Sequence, residues 1–168
     1  MNGFGFDPNQ LEILASVALA MALGAAIGFE RELVHKPAGL RTHMLVAGAA
    51  AFFVSLGDVV IERFSVTLGG SLVQSDPVRI IEAVITGVSF LGAGTIIVHR
   101  AQGTNNPSRQ VEGLTTAASI LFAAAVGVSV ALSQWVLAIG ATVLVLITLR
   151  GLGFLQRRLW RRDLQNRE

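Results

Sequence analysis

From Gly113 to Leu149 the chain runs 37 residues without a formal charge. A single helix of that length would extend about 55 Å at 1.5 Å per residue, far past the roughly 30 Å hydrocarbon core of a bilayer. The stretch therefore reads as two membrane-crossing helices, with Ser129 to Gln134 as the turn and Trp135 at the interface. The rest follows the same pattern, long uncharged runs separated by short clusters of Arg, Glu and Asp. Three further spans lie at about Leu11 to Phe29, Thr42 to Ile61 and Val78 to Val98, the first carrying Glu12 near its start and the second Asp58 near its end. Only 14% of the residues are charged, against about 25% in an ordinary soluble domain, and mean hydropathy is +0.63. So few charges cannot coat a water-soluble globule. The expected fold is an all-α membrane protein, a bundle of five transmembrane helices over residues 1–149 followed by a basic tail, 150–168.

Polar residues punctuate these spans. Span 1 stops at Glu30-Arg31-Glu32, and Lys36-Pro37 with Gly39 makes a turn before span 2. A polar segment, Glu62 to Gln74, precedes Asp76 and Pro77, which read as N-cap and first helical residue because the carboxylate satisfies an orphan N–H and proline lacks one. The loop from His99 to Glu112 holds Gly103 to Ser108, a dense run of turn formers. Counting Lys and Arg by side places Arg31, Lys36, Arg41, Arg100, Arg109 and the six arginines from Arg150 onward together, with Arg63 and Arg79 opposite. The positive-inside rule then puts the N-terminus outside and the C-terminus in the cytoplasm. Met1 to Gln10 lacks the basic start of a cleavable signal, so span 1 is expected to be retained. In the tail, Leu152, Leu155 and Leu159 with Trp160 fit an interfacial amphipathic helix as well as they fit a solvated end.

Several function classes drop out. The sequence pI of about 10.4 and the arginine tail raise nucleic acid as a partner. A basic cluster directly after an apolar span is instead explained by anionic headgroups and topology. There are no cysteines, hence no disulfide, thiolate metal site or cysteine nucleophile. His35, His43 and His99 do not have the spacing of a zinc site. No phosphate-binding glycine loop, Gly-x-Ser-x-Gly elbow or His-Glu-x-x-His is present, so no enzyme is expected and no cofactor is implied.

Small residues recur four apart at Ala20, Gly24 and Gly28, at Ala47, Ala51 and Ser55, and at Ser119, Ala123, Gly127 and Ala131. Such stripes let helix backbones approach closely, within one chain or between copies in a homo-oligomer. Gly39, Gly87, Gly92, Gly94 and Gly113 join Gly24 and Gly28 as candidate packing glycines. In span 3, Arg79, Glu82, Thr86 and Ser89 share a face, either as a water-accessible polar seam or as an Arg79–Glu82 pair at headgroup level. At the other end, Glu30, Arg31, Glu32, Arg41 and His43 flank spans 1 and 2, while Thr115, Thr116 and Ser119 enter span 4. Mg²⁺ favours one or two carboxylates with retained waters, which makes Glu30 and Asp76 the candidate metal ligands. The competing reading pairs Glu30 with Arg41 as structural partners.

At these residues the sequence resembles the MgtC/SapB membrane protein family. The resemblance is carried by Leu23-Gly-Ala-Ala-Ile-Gly-Phe-Glu-Arg-Glu-Leu and Lys36-Pro-Ala-Gly-Leu-Arg-Thr-His, then by Asp76-Pro-Val-Arg-Ile with Phe90-Leu-Gly-Ala-Gly-Thr-Ile, then by Gly113-Leu-Thr-Thr-Ala-Ala-Ser-Ile. It implies a multi-pass bacterial inner-membrane protein linked to growth under magnesium limitation and, in some members, to acid tolerance or virulence. By motif position it singles out Glu30, Arg31, Lys36, Arg41, Asp76, Arg79 and the glycines Gly39, Gly92, Gly94 and Gly113. Longer members add a cytoplasmic regulatory domain after the membrane part; this chain, ending at Glu168, matches the membrane part. The functional expectation is a non-enzymatic modulator of Mg²⁺ and ion homeostasis in contact with the bilayer. The alternatives are a Mg²⁺ or proton-coupled transporter, and a scaffold or regulator of another membrane protein.

Overall fold

The computed structural model describes residues 8–67, 77–101 and 107–165. It is all-helical there: α1 (Pro8–Leu33), α2 (Leu40–Thr67), α3 (Pro77–Ala101), α4 (Pro107–Ala131) and α5 (Trp135–Gln165). Pro8, Pro77 and Pro107 are first helical residues that have no N–H to leave unpaired; only Pro77 is expected as a helix start, and the loop expected from His99 to Glu112 is shorter, since α3 runs to Ala101 and α4 begins at Pro107. Four helices are long and apolar enough to cross a membrane, and in α5 the apolar stretch is Trp135–Gly151. The protein is therefore a polytopic membrane protein. The helices overrun the spans read from hydropathy. α2 continues through Thr67, where a polar connector is expected, because a helix can carry polar residues once it has left the hydrocarbon. α5 continues past Arg150 without a break.

Two connections have a shared construction. After α1, His35 sits at φ 54°, with His35 N–H donating to Glu32 O and Lys36 N–H to Arg31 O. After α4, Ser133 sits at φ 56°, with Ser133 N–H donating to Val130 O and Gln134 N–H to Ser129 O. Both are Schellman endings, which satisfy the last carbonyls of a helix through one left-handed residue. That residue is usually glycine; here a histidine and a serine hold it.

α4 organises the bundle. It touches α1, α2, α3 and α5, whereas α1 and α3, α2 and α5, and α3 and α5 make no contact among the described residues. Half of its apolar window is buried, compared with 6% of that of α3. The core is small-residue packing: Ala20, Ala47, Ala50, Ala51, Ala123 and Ala124, interleaved with Ile27, Ile120, Val126 and Val130. Without a hydrophobic effect to separate helix from lipid, close van der Waals contact holds such a bundle together. At Gly127 an added Cβ would collide with the backbone of Ala47, and at Gly28 it would stand 2.7 Å from the Leu40 Cα. Hydroxyls within the helices bond to carbonyls of their own helix, as Thr142 does to Ala138 O and Thr148 to Leu144 O. No fully buried side-chain polar atom among the described residues lacks a partner, as an apolar surround requires.

The same substitution should have opposite effects at two glycines. Gly28→Leu drives a side chain into the α2 backbone and should lower thermal stability in detergent by about 3 kcal/mol or prevent assembly. Gly94→Leu, at a site where an added Cβ meets nothing within 4 Å, should leave the melting curve within about 0.5 kcal/mol of the parent. His35→Gly should raise stability by about 1 kcal/mol, because glycine carries no Cβ penalty at a left-handed cap.

Candidate functional site

The α1–α2 turn is where the charged motif residues gather. Glu32, one residue from the end of α1, accepts the backbone N–H of Leu40 at 2.8 Å. It thereby caps the first residue of α2 from another helix and places its negative charge at the positive end of the α2 dipole. Gly39 leaves room for that carboxylate: an added Cβ would stand 2.8 Å from Glu32 Oε2. On the inner side of the same turn, Arg31 Nε–H donates to Glu30 Oε2 at 2.6 Å, with side chains only 5% and 7% exposed. The pairing neutralises both charges where water is scarce.

One turn into α2, His43 is fully buried. Its Nδ1 lies 2.9 Å from Gly39 O and its Nε2 lies 3.0 Å from Ser119 Oγ on α4. A carbonyl only accepts, so Nδ1 carries a proton. The Ser119 hydroxyl has two acceptors in reach, Nε2 and, at 2.8 Å, Thr116 O. With a neutral ring it can donate to Nε2. With a charged ring it accepts from Nε2–H and donates to Thr116 O. A single proton thus decides which way the α2–α4 bond runs. Gly24 and Gly28 of α1 lie against the same turn of α2, where an added Cβ at Gly24 would stand 2.5 Å from His43 O. The histidine is therefore held by three helices: α1 against its backbone, α2 as its own helix, and α4 through Ser119.

The sequence-derived candidates separate into two groups. Glu30, Arg31 and Thr116 are buried at this junction, while Gly24 and Gly28 form its floor and Gly39 its lip. Arg41 and Thr115 are exposed, and Lys36 is partly exposed in the turn. The alternative pairing of Glu30 with Arg41 is corrected: the partner of Glu30 is Arg31, its chain neighbour. Arg79 and Glu82 lie on α3, both exposed and not bonded to each other, so the headgroup-level pair read from their spacing does not form within the chain. Gly92 packs on Ala117, where an added Cβ would stand 3.3 Å from its Cβ, and Gly113 is buried. Gly87 and Gly94 meet no atom within 4 Å of an added Cβ. Packing expected of them is absent among the described residues, because there α3 touches only α2 and α4 and turns most of its surface outward. Asp76 lies outside the described residues, and so does its candidate pairing with Glu30 around a metal. Glu30 is a poor metal ligand as it stands, since Oε2 is already engaged by Arg31. Among the described residues no three His, Asp or Glu side chains converge.

His43 and Ser119 are the residues that motif reading undervalued. The sequence places both among the polar residues flanking spans 1, 2 and 4 but does not single them out as partners. The signal was periodicity: His43 stands four residues before Ala47, at the head of the Ala47, Ala51 and Ser55 stripe, and Ser119 heads the α4 stripe. A polar residue in register with an inward stripe is carried inward with it.

The buried pair gives a double-variant test. Glu30→Gln should destabilise the purified protein by about 3–5 kcal/mol, because it leaves a buried, uncompensated guanidinium. Replacing both, Glu30→Met with Arg31→Met, should restore most of that loss, read as melting temperature in one detergent. Equal losses in the single and double variants would show that the pair is not what matters there.

Comparison with known proteins identifies the family of the chain. The model of the MgtC family matches residues 17–158. Protein SrpB of Synechococcus elongatus is 40% identical over 146 residues, covering 86% of this chain and 77% of the relative. YhiD of Escherichia coli K12, whose name proposes a magnesium transporter, is 36% identical over 138 residues, 82% of this chain and 59% of the relative. Protein MgtC of Brucella abortus is 43% identical over 114 residues, 68% of this chain and 40% of the relative. An uncharacterized protein of Haemophilus influenzae is 33% identical over 96% of this chain, which spans 64% of that relative. The chain thus spans less than two thirds of several relatives it matches. No solved structure matches it. With a family match that runs from the middle of α1 into α5, and relatives aligned over most of its length, the chain belongs to the MgtC family.

Proposed function

We propose that this chain is a non-enzymatic protein of the bacterial inner membrane that modulates magnesium and proton homeostasis under magnesium limitation or acid stress, with the His43 junction as its working part. The link to magnesium comes from the name of the YhiD relative. The inner-membrane placement is what the family resemblance implies, and a cytoplasmic C-terminus is what the positive-inside rule predicts from the distribution of Lys and Arg along the sequence. The observation that carries the modulating role is that the junction's polar groups satisfy each other: Glu30 holds Arg31, and His43 bridges Gly39 and Ser119. A cation passing here would have to displace a buried ion pair, which is costly. A proton would displace no ion pair: it would reverse the Ser119 hydroxyl, at the desolvation cost of charging a buried ring.

Two other readings have specific support. A Mg²⁺ or proton-coupled carrier is favoured by the name of the YhiD relative. A scaffold for another membrane protein is favoured by α3, whose apolar window is 6% buried and which leaves an apolar groove of about 740 Å³ against α2, with Arg79 among its lining.

Purified protein in liposomes separates the three. The expected result is no Mg²⁺ entry above that of protein-free vesicles, together with weaker growth at low Mg²⁺ in cells carrying Ser119→Ala at unchanged membrane level. Saturable Mg²⁺ entry that disappears with Glu30→Gln would replace this reading with the carrier. Stoichiometric co-purification of another membrane protein, lost on Gly87→Leu, would replace it with the scaffold.

A further inference from the structure

At the opposite end of the bundle from His43, the first turns of α1, the outer half of α2 and the α4–α5 turn enclose a crevice of about 170 Å³. Its polar lining is Asn9, Glu12, Ser16, Ser55, Asp58 and Ser133. Every heteroatom group there is an oxygen donor except the amide nitrogen of Asn9, and the two charged residues are both acidic. No lysine or arginine lines it.

Two carboxylates alone would be an ordinary solvated edge. Ser55 makes the difference. The residue is only 8% exposed, and its hydroxyl forms no hydrogen bond with the described residues. A helical serine in an apolar surround ordinarily donates to a carbonyl one turn back, as Ser129 does to Ala125 O. Because no fully buried polar side-chain atom among the described residues is unpartnered, the Ser55 oxygen must open into the crevice it lines. An oxygen on a buried residue, unpaired with protein and on the same wall as Asp58 one turn on, needs a partner there.

We propose that this crevice binds a partly hydrated divalent cation of the Mg²⁺ type, held by Glu12 and Asp58 with Ser55 bonding to its water shell. All-oxygen donors select a hard cation. The crevice has room for several ordered waters beside an ion, so the ion keeps most of its shell. Mg²⁺ dehydrates reluctantly and is commonly held by one or two carboxylates plus waters, whereas a dedicated Ca²⁺ cage supplies six to eight oxygens. No third carboxylate converges among the described residues, which fits the first arrangement. A bound cation would tie α1 to α2 by neutralising two acidic side chains that line one crevice. The site is separate from the His43 junction and does not depend on the function proposed for it.

The test uses the full chain in detergent, with MgCl₂ titrated at constant ionic strength set by NaCl. The melting temperature should rise saturably with Mg²⁺, by mass action on the folded state. Glu12→Gln and Asp58→Asn should each move the half-effect concentration up by about tenfold or more, and Ser55→Ala by about threefold. The Ser55 variant removes an oxygen that holds nothing else in place, so it guards against misfolding of the carboxylate variants. Trp135, two residues after Ser133, provides a second readout: in a Trp160→Phe background its fluorescence should change with Mg²⁺ and lose that change in Glu12→Gln with Asp58→Asn. The proposal is overturned if NaCl alone stabilises as much as MgCl₂ at matched ionic strength, which would be charge screening, or if the doubly substituted chain titrates like the parent.

Discussion

The fold depends on the approach of bare backbone to backbone. At Gly127 the α4 main chain reaches the Ala47 main chain of α2, and at Gly24 and Gly28 the α1 main chain reaches the first turn of α2. Lipid tails are as apolar as leucine, so nothing drives these helices together except the contacts they can make at short range. Removing side chains at the crossing points shortens the range. It also brings Ser119 within hydrogen-bonding distance of His43, which no bulkier α2–α4 contact would allow. The packing and the polar junction are therefore one arrangement: small residues set the separation, and the separation sets the bond.

Inside that arrangement, charge is admitted only in neutralised form. Glu30 and Arg31 are chain neighbours, and their side chains close on each other where the helix meets its cap. Glu32, one residue on, faces the other way and caps α2. Three consecutive charged residues thus perform three local tasks, burying an acid, burying its base and stapling the next helix. This accounts for a dense charged motif at the end of a span, where a single interfacial charge would suffice for orientation.

Much of this was legible in the sequence and some was not. The 37-residue uncharged stretch required two helices, and the turn lies where Ser129 to Gln134 was expected to provide it, with the helical break at Leu132 to Gln134. Pro77 marked the start of α3 because proline is favoured at the first helical position, where its missing N–H costs nothing. Helix ends were underestimated wherever polar residues continue a helix beyond the hydrocarbon, as at Thr67. Hydropathy reports the solvent a segment prefers and is silent on where its hydrogen bonding stops. The site was half visible. Spacing brings Glu30, Arg31, His43, Thr116 and Ser119 to one end of the bundle, but spacing cannot choose between Arg31 and Arg41 as the partner of Glu30. That choice rests on rotamers and cap geometry. Arg79 and Glu82 failed differently, since a shared helical face brings two side chains near each other without making them bond.

The contact pattern also orders the assembly of the chain in time. α1 and α2 meet directly and can close as a hairpin once both are in the bilayer, but α3 leans mainly on α4, which is made after it. Until α4 arrives, the third helix has little besides lipid for company, and the slot between α1, α2 and α3 has no central member. Insertion is thus completed from a late segment inward: the fourth helix must slip between neighbours already in place, and its narrow, alanine- and glycine-lined sides suit it to that entry.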